Sequence, residues 1–222
     1  MAREHRSPAV RAYKSPLRKQ QAAATRLRVL SVAGECFGAH GYPNTTLRDI
    51  ARAAGVSLDT VQAQGSKAQL FLAAFDLALV GEDQALPLRE QENPELREAF
   101  AGGDLEGFMK PMCAYLADSN RRSAALWRAF VGATAGEPLL DEAYAAKMDA
   151  MRAEGVSSLR LLISRGVIKA PANLSELADE LWMTAHVAQY HLLAHQAGWP
   201  EQRYLAWLTE SMIAAVRRHC AQ

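Results

Sequence analysis

The chain has 222 residues, of which 50% are apolar and 22% are charged, which is enough apolar material for one or two globular domains. No apolar run approaches the roughly 20 residues that a membrane-spanning helix needs, and the basic N-terminal stretch lacks the apolar middle of a signal peptide. We therefore expect neither membrane insertion nor secretion, and a cytoplasmic location. Cys36, Cys113 and Cys220 are far apart in the sequence, so we expect reduced thiols rather than disulfides or a zinc site.

The charge is distributed unevenly along the chain. Residues 1–67 carry 11 basic and 4 acidic side chains, a net charge of +7, whereas residues 68–222 carry 14 basic and 20 acidic side chains, a net charge of −6. This asymmetry indicates that only the first third of the chain approaches a polyanion such as a nucleic acid.

The first forty residues contain two different patterns. Residues 1–20 combine prolines and basic side chains without apolar periodicity, which predicts a flexible basic arm. Such an arm could enter a minor groove or simply raise nonspecific affinity. From residue 22 onward apolar residues recur at helical spacing, so the sequence predicts a first helix at 22–39 that Gly41 ends.

Three further helices are predicted before residue 82. Thr46 offers a cap for a short helix that ends at Gly55. Ser57 can cap the next short helix, and an amphipathic pattern then runs from Lys67 to near Gly81.

The rest of the chain is predicted to be a connecting segment followed by helices. The stretch 82–103 is polar and broken by prolines and glycines, with room for one short helix. A later helical segment begins at Pro138. It contains Gly155, where a break in the helix is expected to be easiest. No run of alternating strand residues occurs, so the sequence predicts an all-α protein. The apolar stripes lie at residues 108–116, 126–133, 138–163, 174–197 and 200–219.

The second and third predicted helices have the spacing of a helix-turn-helix. In that motif two helices cross closely, which requires a small residue in the first helix, a left-handed residue in the turn and apolar residues at the crossing. Ala51, Gly55 and Val61 meet these requirements. Any two packed short helices could show the same spacing, so a purely structural pair is the alternative.

The surrounding residues make this pattern more specific over about residues 22–80. They are Thr25-Arg26, Val29-Leu30, Ala33, Phe37, Gly41-Tyr42, Thr45-Thr46, Ile50-Ala51, Ala54-Gly55-Val56-Ser57, Thr60 and Ser66-Lys67. Together they resemble the TetR family of bacterial transcriptional regulators. The resemblance implies a helix-turn-helix DNA-binding domain at residues 21–67 and a helical domain at residues 68–222 that binds a small-molecule effector and dimerises.

The sequence departs from the family pattern just before Ser66 and Lys67. The family usually has a Tyr, further aromatic or His positions and a Phe there, whereas this chain reads Gln62-Ala63-Gln64-Gly65 and is one residue shorter. This departure leaves open whether Gln62 and Gln64 contact DNA. It also predicts that Gly65 turns the chain directly into the fourth helix.

Side chains at the starts of the predicted helices are candidates for phosphate contacts. Thr46, Ser57 and Lys67 would place hydroxyls, backbone N–H groups and an ammonium where phosphates can dock. Further basic candidates, or else solvated surface residues, are Arg26, Arg48 and Arg52.

The third predicted helix carries the candidates for base contacts. Leu58, Thr60 and Gln62 would face the major groove, where Gln can pair with adenine and Thr can touch the thymine methyl. Asp59 could accept from cytosine, although a stabilising charge in the first turn of the helix is the stronger interpretation. Gln64 is a candidate through the family resemblance.

The resemblance also implies an effector cavity in the helical domain. The large side chains that could surround it, or simply fill the core, are Phe75, Phe108, Met112, Tyr115, Trp127, Phe130, Tyr144, Met148, Trp182, His186 and Tyr190. A cavity lined by aromatics and methionines would suit an apolar or aromatic ligand, which Tyr115, Trp127, His186 or Tyr190 could orient.

The last two predicted helices carry broad apolar faces that one small domain could hardly bury within a single chain. This predicts a homodimer held by residues 174–197 and 200–219, with Leu205, Leu208 and Met212 at the interface. A dimer would bind a palindromic operator in double-stranded DNA, and we expect an effector to release it, as in a repressor.

Other chemistry has little support in the sequence. His191 and His195 lie one helical turn apart, but no HExxH motif accompanies them, so packed or surface histidines are a better interpretation than a metal site. Neither a phosphate-binding glycine loop nor a nucleophile elbow is present, so we expect neither a cofactor nor enzymatic activity. The alternative is a helical small-molecule-binding protein, or an unrecognised enzyme, that has lost operator recognition.

Overall fold

The computed structural model describes residues 16–81 and 93–220, with side chains from residue 20 onward, and every regular element in these ranges is a helix. This confirms the predicted all-α class. In the same ranges, no helix is both long enough and apolar enough to cross a membrane. The helices are α1 (Pro16–Asn44), α2 (Leu47–Ala54), α3 (Leu58–Gln62), α4 (Lys67–Val80), α5 (Pro94–Ala101), α6 (Leu105–Thr134), α7 (Pro138–Ser164), α8 (Leu174–Ala185), α9 (Val187–Tyr190) with a π-helical turn at His191–Gln196, and α10 (Glu201–Cys220).

Side-chain caps set the boundaries of the short helices where the sequence predicts them. The Thr46 hydroxyl accepts a hydrogen bond from the backbone N–H of Asp49, whose carboxylate accepts from the N–H of Thr46, and the two form a capping box at α2. Gly55 ends α2 in the left-handed conformation, with φ 64°. Ser57 caps α3 by accepting from the N–H of Thr60. The predicted bounds of α2 and α3 are therefore confirmed.

Helix α1 begins earlier than the sequence predicts. It starts at Pro16, a residue type that fits the first turn of a helix, so residues 16–20 are helical rather than part of an arm. The remainder of the predicted arm, residues 1–15, lies outside the described residues. The C-terminal part of α1 is interrupted at Gly41, where φ is 78°.

Helix α6 is longer than either of its apolar stripes, and α7 is continuous through its internal glycine. The stripes at 108–116 and 126–133 belong to one helix, α6, because neither glycine nor proline separates them. Helix α7 passes through Gly155 without a break. The loss of about 1 kcal/mol that an interior glycine causes is small compared with the packing of a long helix.

The predicted helix at 174–197 is divided at His186. This residue is extended, with φ −63° and ψ 139°, which ends α8. Its Nδ1 accepts a hydrogen bond of 3.1 Å from the backbone N–H of Ala188 and so caps α9. Histidine is not one of the usual capping residues, so the sequence pattern does not reveal this break.

The helices enclose two hydrophobic cores that share α6. The first core contains α1 to α4, the C-terminal half of α6 and the start of α7, and Phe37, Phe71 and Phe130 meet there edge to face. The second core contains α5 to α10 around the N-terminal half of α6. Helix α4 therefore packs with α1 to α3, although the predicted boundary at residue 68 places most of it in the second domain.

Helix α1 lies unusually close to α6. A Cβ atom on Gly38 would be 3.1 Å from the Cβ of Ala125, and one on Gly34 would be 3.3 Å from the Cδ1 of Leu126. These two glycines therefore set the short distance between the helices, because larger residues would push them apart.

Two of the three residues predicted for the dimer interface lie instead in the second core. Leu208 is fully buried, and Met212 is 6% exposed with its Sδ accepting from the thiol of Cys113 at 3.5 Å. Both side chains pack within their own chain, and their place at a dimer interface stays a prediction. Amphipathic periodicity identifies an apolar face but not whether that face packs within one chain or between two. Leu205 is half-buried.

Candidate DNA interface and ligand cavity

Helices α2 and α3 form the helix-turn-helix that the sequence spacing predicts. Ile50, Ala51 and Val61 are buried where the two helices cross. The left-handed Gly55 forms the turn, and the next N–H, that of Val56, donates to the carbonyl oxygen of Ala51 at 3.1 Å. The motif thus presents α3 on a rigid support.

The start of α2 combines a hydroxyl with a paired carboxylate. Thr46 donates to Asp49 Oδ2 at 2.6 Å, and this hydrogen bond is the main reason that the pKa of Asp49 lies below its usual value. Arg52 pairs with the other oxygen of Asp49, also at 2.6 Å. Thr46 and Arg48 are both exposed, so a phosphate could reach this helix start.

Lys67 is held in place at the start of α4. Its Nζ lies 4.3 Å from the centre of the Tyr42 ring and donates to the carbonyl oxygen of Pro43 at 3.4 Å. The Tyr42 hydroxyl donates in turn to Glu137 Oε2 at 3.4 Å, just before α7. Burial lowers the pKa of Lys67, and the nearby Glu137 opposes this effect. The lysine therefore lies where α1, α4 and α7 meet.

Helix α3 exposes only part of the predicted base-reading set. Asp59 and Gln62 are exposed, whereas Leu58 and Thr60 are half-buried. The hydroxyls of Ser57 and Thr60 are 2.8 Å apart and share a hydrogen bond, which occupies both of them at the helix start. Asp59 lies in the first turn, where a negative charge stabilises the helix.

Gln64 and Arg26 interact with each other. The Gln64 amide donates to the carbonyl oxygen of Thr60 at 3.4 Å and accepts from Arg26 Nη1 at 3.5 Å. These contacts connect α1 to the end of α3. Gly65, with φ 135°, then turns the chain directly to Ser66, which caps α4 as the sequence predicts.

A cavity of about 130 Å³ lies in the second core between α4, α6, α7, α8 and α10. Four of the predicted ligand residues line it, namely Phe108, Met112, Trp182 and His186. The other lining residues are Leu79, Met109, Leu116, Ser119, Asn120, Met151, Gly155, Ser158, Leu159, Leu162, Ala178, Leu181, Ala185 and Met212. The volume is close to the roughly 150 Å³ of an engineered apolar cavity that takes up benzene.

Three of the other predicted ligand residues lie in the first core. Phe130 makes edge-to-face contacts with Phe75 and with Tyr144, at ring distances of 5.0 and 5.2 Å. Their place far from the cavity shows that large aromatic side chains on adjacent helices need not surround one site.

Four further predicted ligand residues lie near the second core but do not line the cavity. Trp127 packs on His186 at 5.8 Å between ring centres, and the Sδ of Met148 is 3.4 Å from the Nε2 of the same imidazole. Tyr190 packs edge to face on Tyr204, and Tyr115 is buried.

The sequence reasoning missed the small residues of the cavity wall. Gly155, Ser158, Ala178 and Ala185 line the cavity because short side chains leave space that neighbouring helices do not fill. These residues are spread over two helices, so the sequence alone does not show that they meet.

Helix α4 connects the cavity to the helix-turn-helix. Leu79, near its C-terminal end, lines the cavity, and two groups of α6 hold the same turn. Ser119 donates to the carbonyl oxygen of Leu79 at 2.5 Å, and Arg122 donates to that of Ala78 at 2.9 Å. The other end of α4 carries Lys67.

Within the part of the chain that the structure describes, no three His, Cys, Asp or Glu side chains are grouped closely enough to hold a metal ion. His191 and His195 are adjacent, with ring centres 5.6 Å apart, and Gln196 lies beside His191 at 3.4 Å.

The N-terminal part of the chain matches a known family. Residues 29–74 match the family model of bacterial regulatory proteins of the tetR family. No curated protein sequence is significantly similar to the chain. The matched segment contains α2, α3 and the cavity-distal part of α4.

Solved structures share the fold over nearly the whole chain. A protein from Mesorhizobium loti assigned to the TetR family of transcriptional regulators is 22% identical, with 90% of this chain and 97% of that chain covered and a TM-score of 0.60. A TetR transcription regulator from Haloarcula marismortui is 12% identical, with coverages of 89% and 98% and a TM-score of 0.64. The complex of SmeT with triclosan is 19% identical, with coverages of 86% and 91% and a TM-score of 0.63.

Proposed function

We propose that this chain is a sequence-specific repressor that a small molecule in the cavity releases from its operator. Two findings support the proposal: residues 29–74 match the tetR-family model, and the chain shares its fold with structures described as TetR-family transcriptional regulators. The SmeT complex supports the effector part of this proposal, since a protein of the same fold is described there with triclosan. In this proposal the ligand is not a substrate. Its binding changes the position of the DNA-binding helices.

The observation that carries the proposal is the path through α4. A helix of 14 residues is about 21 Å long and moves as a rigid element. A ligand that displaces Leu79 at one end therefore displaces Lys67 and its neighbours at the other end. The Ser119 and Arg122 contacts ensure that α6 transmits movement to the last turn of α4.

The proposed DNA contacts divide into two kinds. Arg48 and Lys67 bind phosphates and position the protein, and the exposed Gln62 on α3 reads a base edge in the major groove. Arg26 and Gln64 act indirectly, because their mutual contact holds the end of α3 against α1.

We further propose a homodimer that uses the outer surface of α8 to α10. Leu192, which is 47% exposed, and the half-buried Leu205 are apolar residues of this region that the single chain leaves accessible. Two copies would place their α3 helices in successive major grooves, about 34 Å apart, on a palindromic operator.

The test is a selection of fragments that the full chain binds from random and genomic DNA. Enrichment of one palindromic sequence supports the proposed function. Recovery of fragments in proportion to their abundance contradicts it and favours a helical small-molecule-binding protein without operator recognition. Placing the selected site in a reporter promoter then distinguishes a repressor from an activator.

A further inference from the structure

Two residues of the cavity wall contain buried polar atoms without a partner. The Nε1 of Trp182 and the hydroxyl oxygen of Ser158 make no hydrogen bond within the described residues. An indole N–H can only donate, and a hydroxyl can donate to any nearby acceptor. Buried donors without acceptors destabilise a protein, so a molecule that brings an acceptor to them gains a hydrogen bond that the protein does not supply.

The other polar groups of the wall are already satisfied by the protein. Ser119 donates to the carbonyl oxygen of Leu79 at 2.5 Å. The Asn120 amide donates at 2.9 Å to both the carbonyl oxygen of Ala185 and the hydroxyl of Tyr204. The unused hydrogen-bonding capacity is therefore concentrated at Trp182 and Ser158.

The remaining polar side chain of the wall, His186, directs its N–H to a residue outside the wall. Its Nδ1 accepts from the N–H of Ala188, so the neutral imidazole carries its proton on Nε2. Burial lowers the pKa of His186, which favours this neutral form. The Nε2–H faces the Sδ of Met148 at 3.4 Å, and a thioether accepts only weakly. Because Met148 does not line the cavity, this N–H is engaged outside the cavity wall.

The cavity wall contains no charge. Among the described residues that line it there is no Asp, Glu, Lys or Arg. Arg152 of α7 and Asp179 of α8 form a bidentate ion pair. This pair lies in a separate surface groove beside Trp182, not in the cavity wall. An ionic ligand would lose its hydration without meeting an opposite charge.

We infer that the cavity binds an uncharged molecule about the size of one six-membered ring that carries a hydrogen-bond acceptor, such as an aryl ketone, with Trp182 and Ser158 as the donors. The inference rests on the proposed function, because it names the chemical class of the effector. It predicts that the cavity prefers uncharged ligands that carry a hydrogen-bond acceptor. The volume of about 130 Å³ limits the size of these ligands.

The test uses four ring-sized probes that differ in one feature: ethylbenzene, acetophenone, benzoate and benzylamine. Their affinities for the full chain are measured by ligand-observed NMR titration at pH 7.5. Acetophenone should bind about threefold to tenfold more tightly than ethylbenzene, which is the contribution of one net hydrogen bond. Both ions should bind at least about tenfold more weakly than acetophenone.

Variants assign the selectivity to the proposed donors. Trp182→Phe keeps an aromatic ring but removes the N–H, and Ser158→Ala removes the hydroxyl. Each should lower the preference for acetophenone over ethylbenzene towards one, while the affinity for ethylbenzene changes less than about twofold. Trp127→Phe is the matched control, since the Nε1 of Trp127 is also buried without a partner but does not line the cavity.

Several outcomes would overturn the inference. Equal affinities for acetophenone and ethylbenzene in the wild-type chain, or a preference that persists in both Trp182→Phe and Ser158→Ala, would refute the donor assignment while the cavity remains a ligand site. Tighter binding of either ion would refute the neutral class. If none of the four probes binds, both this inference and the effector-release part of the proposed function fail, whereas DNA recognition is judged separately by the fragment selection.

Discussion

Lys67 and Tyr42 form a cation–π pair in which the ammonium nitrogen lies 4.3 Å from the centre of the ring. Such a contact contributes about 0.5–1 kcal/mol at a partly exposed site, and it orients the ammonium without neutralising its charge. Glu137, which accepts from the Tyr42 hydroxyl, extends the contact to the start of α7. A residue proposed to bind DNA is thus positioned by both halves of the molecule.

Lys67→Ala should weaken binding to operator and random DNA alike. The lost phosphate contact removes about one released counterion per half-site, so the plot of affinity against salt concentration should become less steep by about one unit per half-site. Fluorescence anisotropy over a salt series measures this slope. Lys110→Ala, an exposed lysine of α6, is the control and should leave the slope unchanged. A loss confined to the operator would contradict the phosphate role.

Gln62→Ala should leave the salt dependence intact but relax the preference at one base pair of each half-site. The expected loss of discrimination is about 1–3 kcal/mol, since a neutral side chain that reads a base edge releases no counterion. Gln64→Ala is the comparison, because its side chain is bonded to Arg26 and Thr60 and should not alter base preference. A specificity change in Gln64→Ala alone would reverse the two assignments.

Ser119→Ala should weaken the coupling between the cavity and the operator. The substitution removes the hydrogen bond to the carbonyl oxygen of Leu79 and should lower the free energy of unfolding by about 1 kcal/mol. The factor by which acetophenone reduces operator affinity should also decrease, as measured by DNA titrations with and without the ketone. Arg121→Met is the control, because Arg121 pairs with Asp118 and Glu201 rather than with α4. Equal coupling in Ser119→Ala and the wild type would show that α4 is not the route.

Leu208 and Leu192 should respond in opposite ways to substitution. Leu208→Ala creates a hole in the second core and should lower the free energy of unfolding by about 2–5 kcal/mol. Leu192→Glu should change stability by less than about 0.5 kcal/mol, since the side chain is 47% exposed, but should produce monomers. Denaturant titration and sedimentation velocity separate these effects. A Leu192→Glu chain that still sediments as a dimer would place the interface elsewhere.

Stability should decrease as the pH falls below about 6.5. Burial lowers the pKa of folded His186 below its unfolded value near 6.5, so the unfolded chain binds the proton more readily and acid favours unfolding. At higher pH both states are neutral and the effect vanishes. His186→Asn retains a capping acceptor without the titration, and should reduce the pH slope of the unfolding free energy by at most about 1.4 kcal/mol per pH unit. Urea midpoints at pH 5 to 8 report this slope, with His195→Asn as an exposed comparison.

The helices of the N-terminal half could be predicted in detail because their boundaries depend on local chemistry. Thr46, Ser57 and Ser66 cap helices through bonds to residues three positions away, and Gly55 supplies the turn. Interactions between residues only three positions apart can be predicted from the sequence alone. The resemblance of the surrounding residues to the TetR family reduced the number of possible helix boundaries further.

The second half was predictable only as a set of helices. Whether Leu208 faces its own core or a partner depends on contacts across more than one helix, which periodicity does not encode. The break at His186 depends on an imidazole cap, and the cavity depends on small residues such as Gly155 and Ser158. These features arise from three-dimensional packing, so no local pattern marks them.

The close approach of α1 to α6 limits how this chain can be re-engineered. A Cβ atom on Gly38 would be 3.1 Å from the Cβ of Ala125, and one on Gly34 would be 3.3 Å from the Cδ1 of Leu126, so any larger residue requires α6 to shift by a few tenths of an ångström. A DNA-binding domain transplanted from a relative with larger residues at those two positions would be oriented differently on the second domain of this chain. Its recognition helices would then no longer be placed for successive major grooves. Chimeric sensors made from this chain should therefore exchange α1 and the facing turn of α6 as one piece.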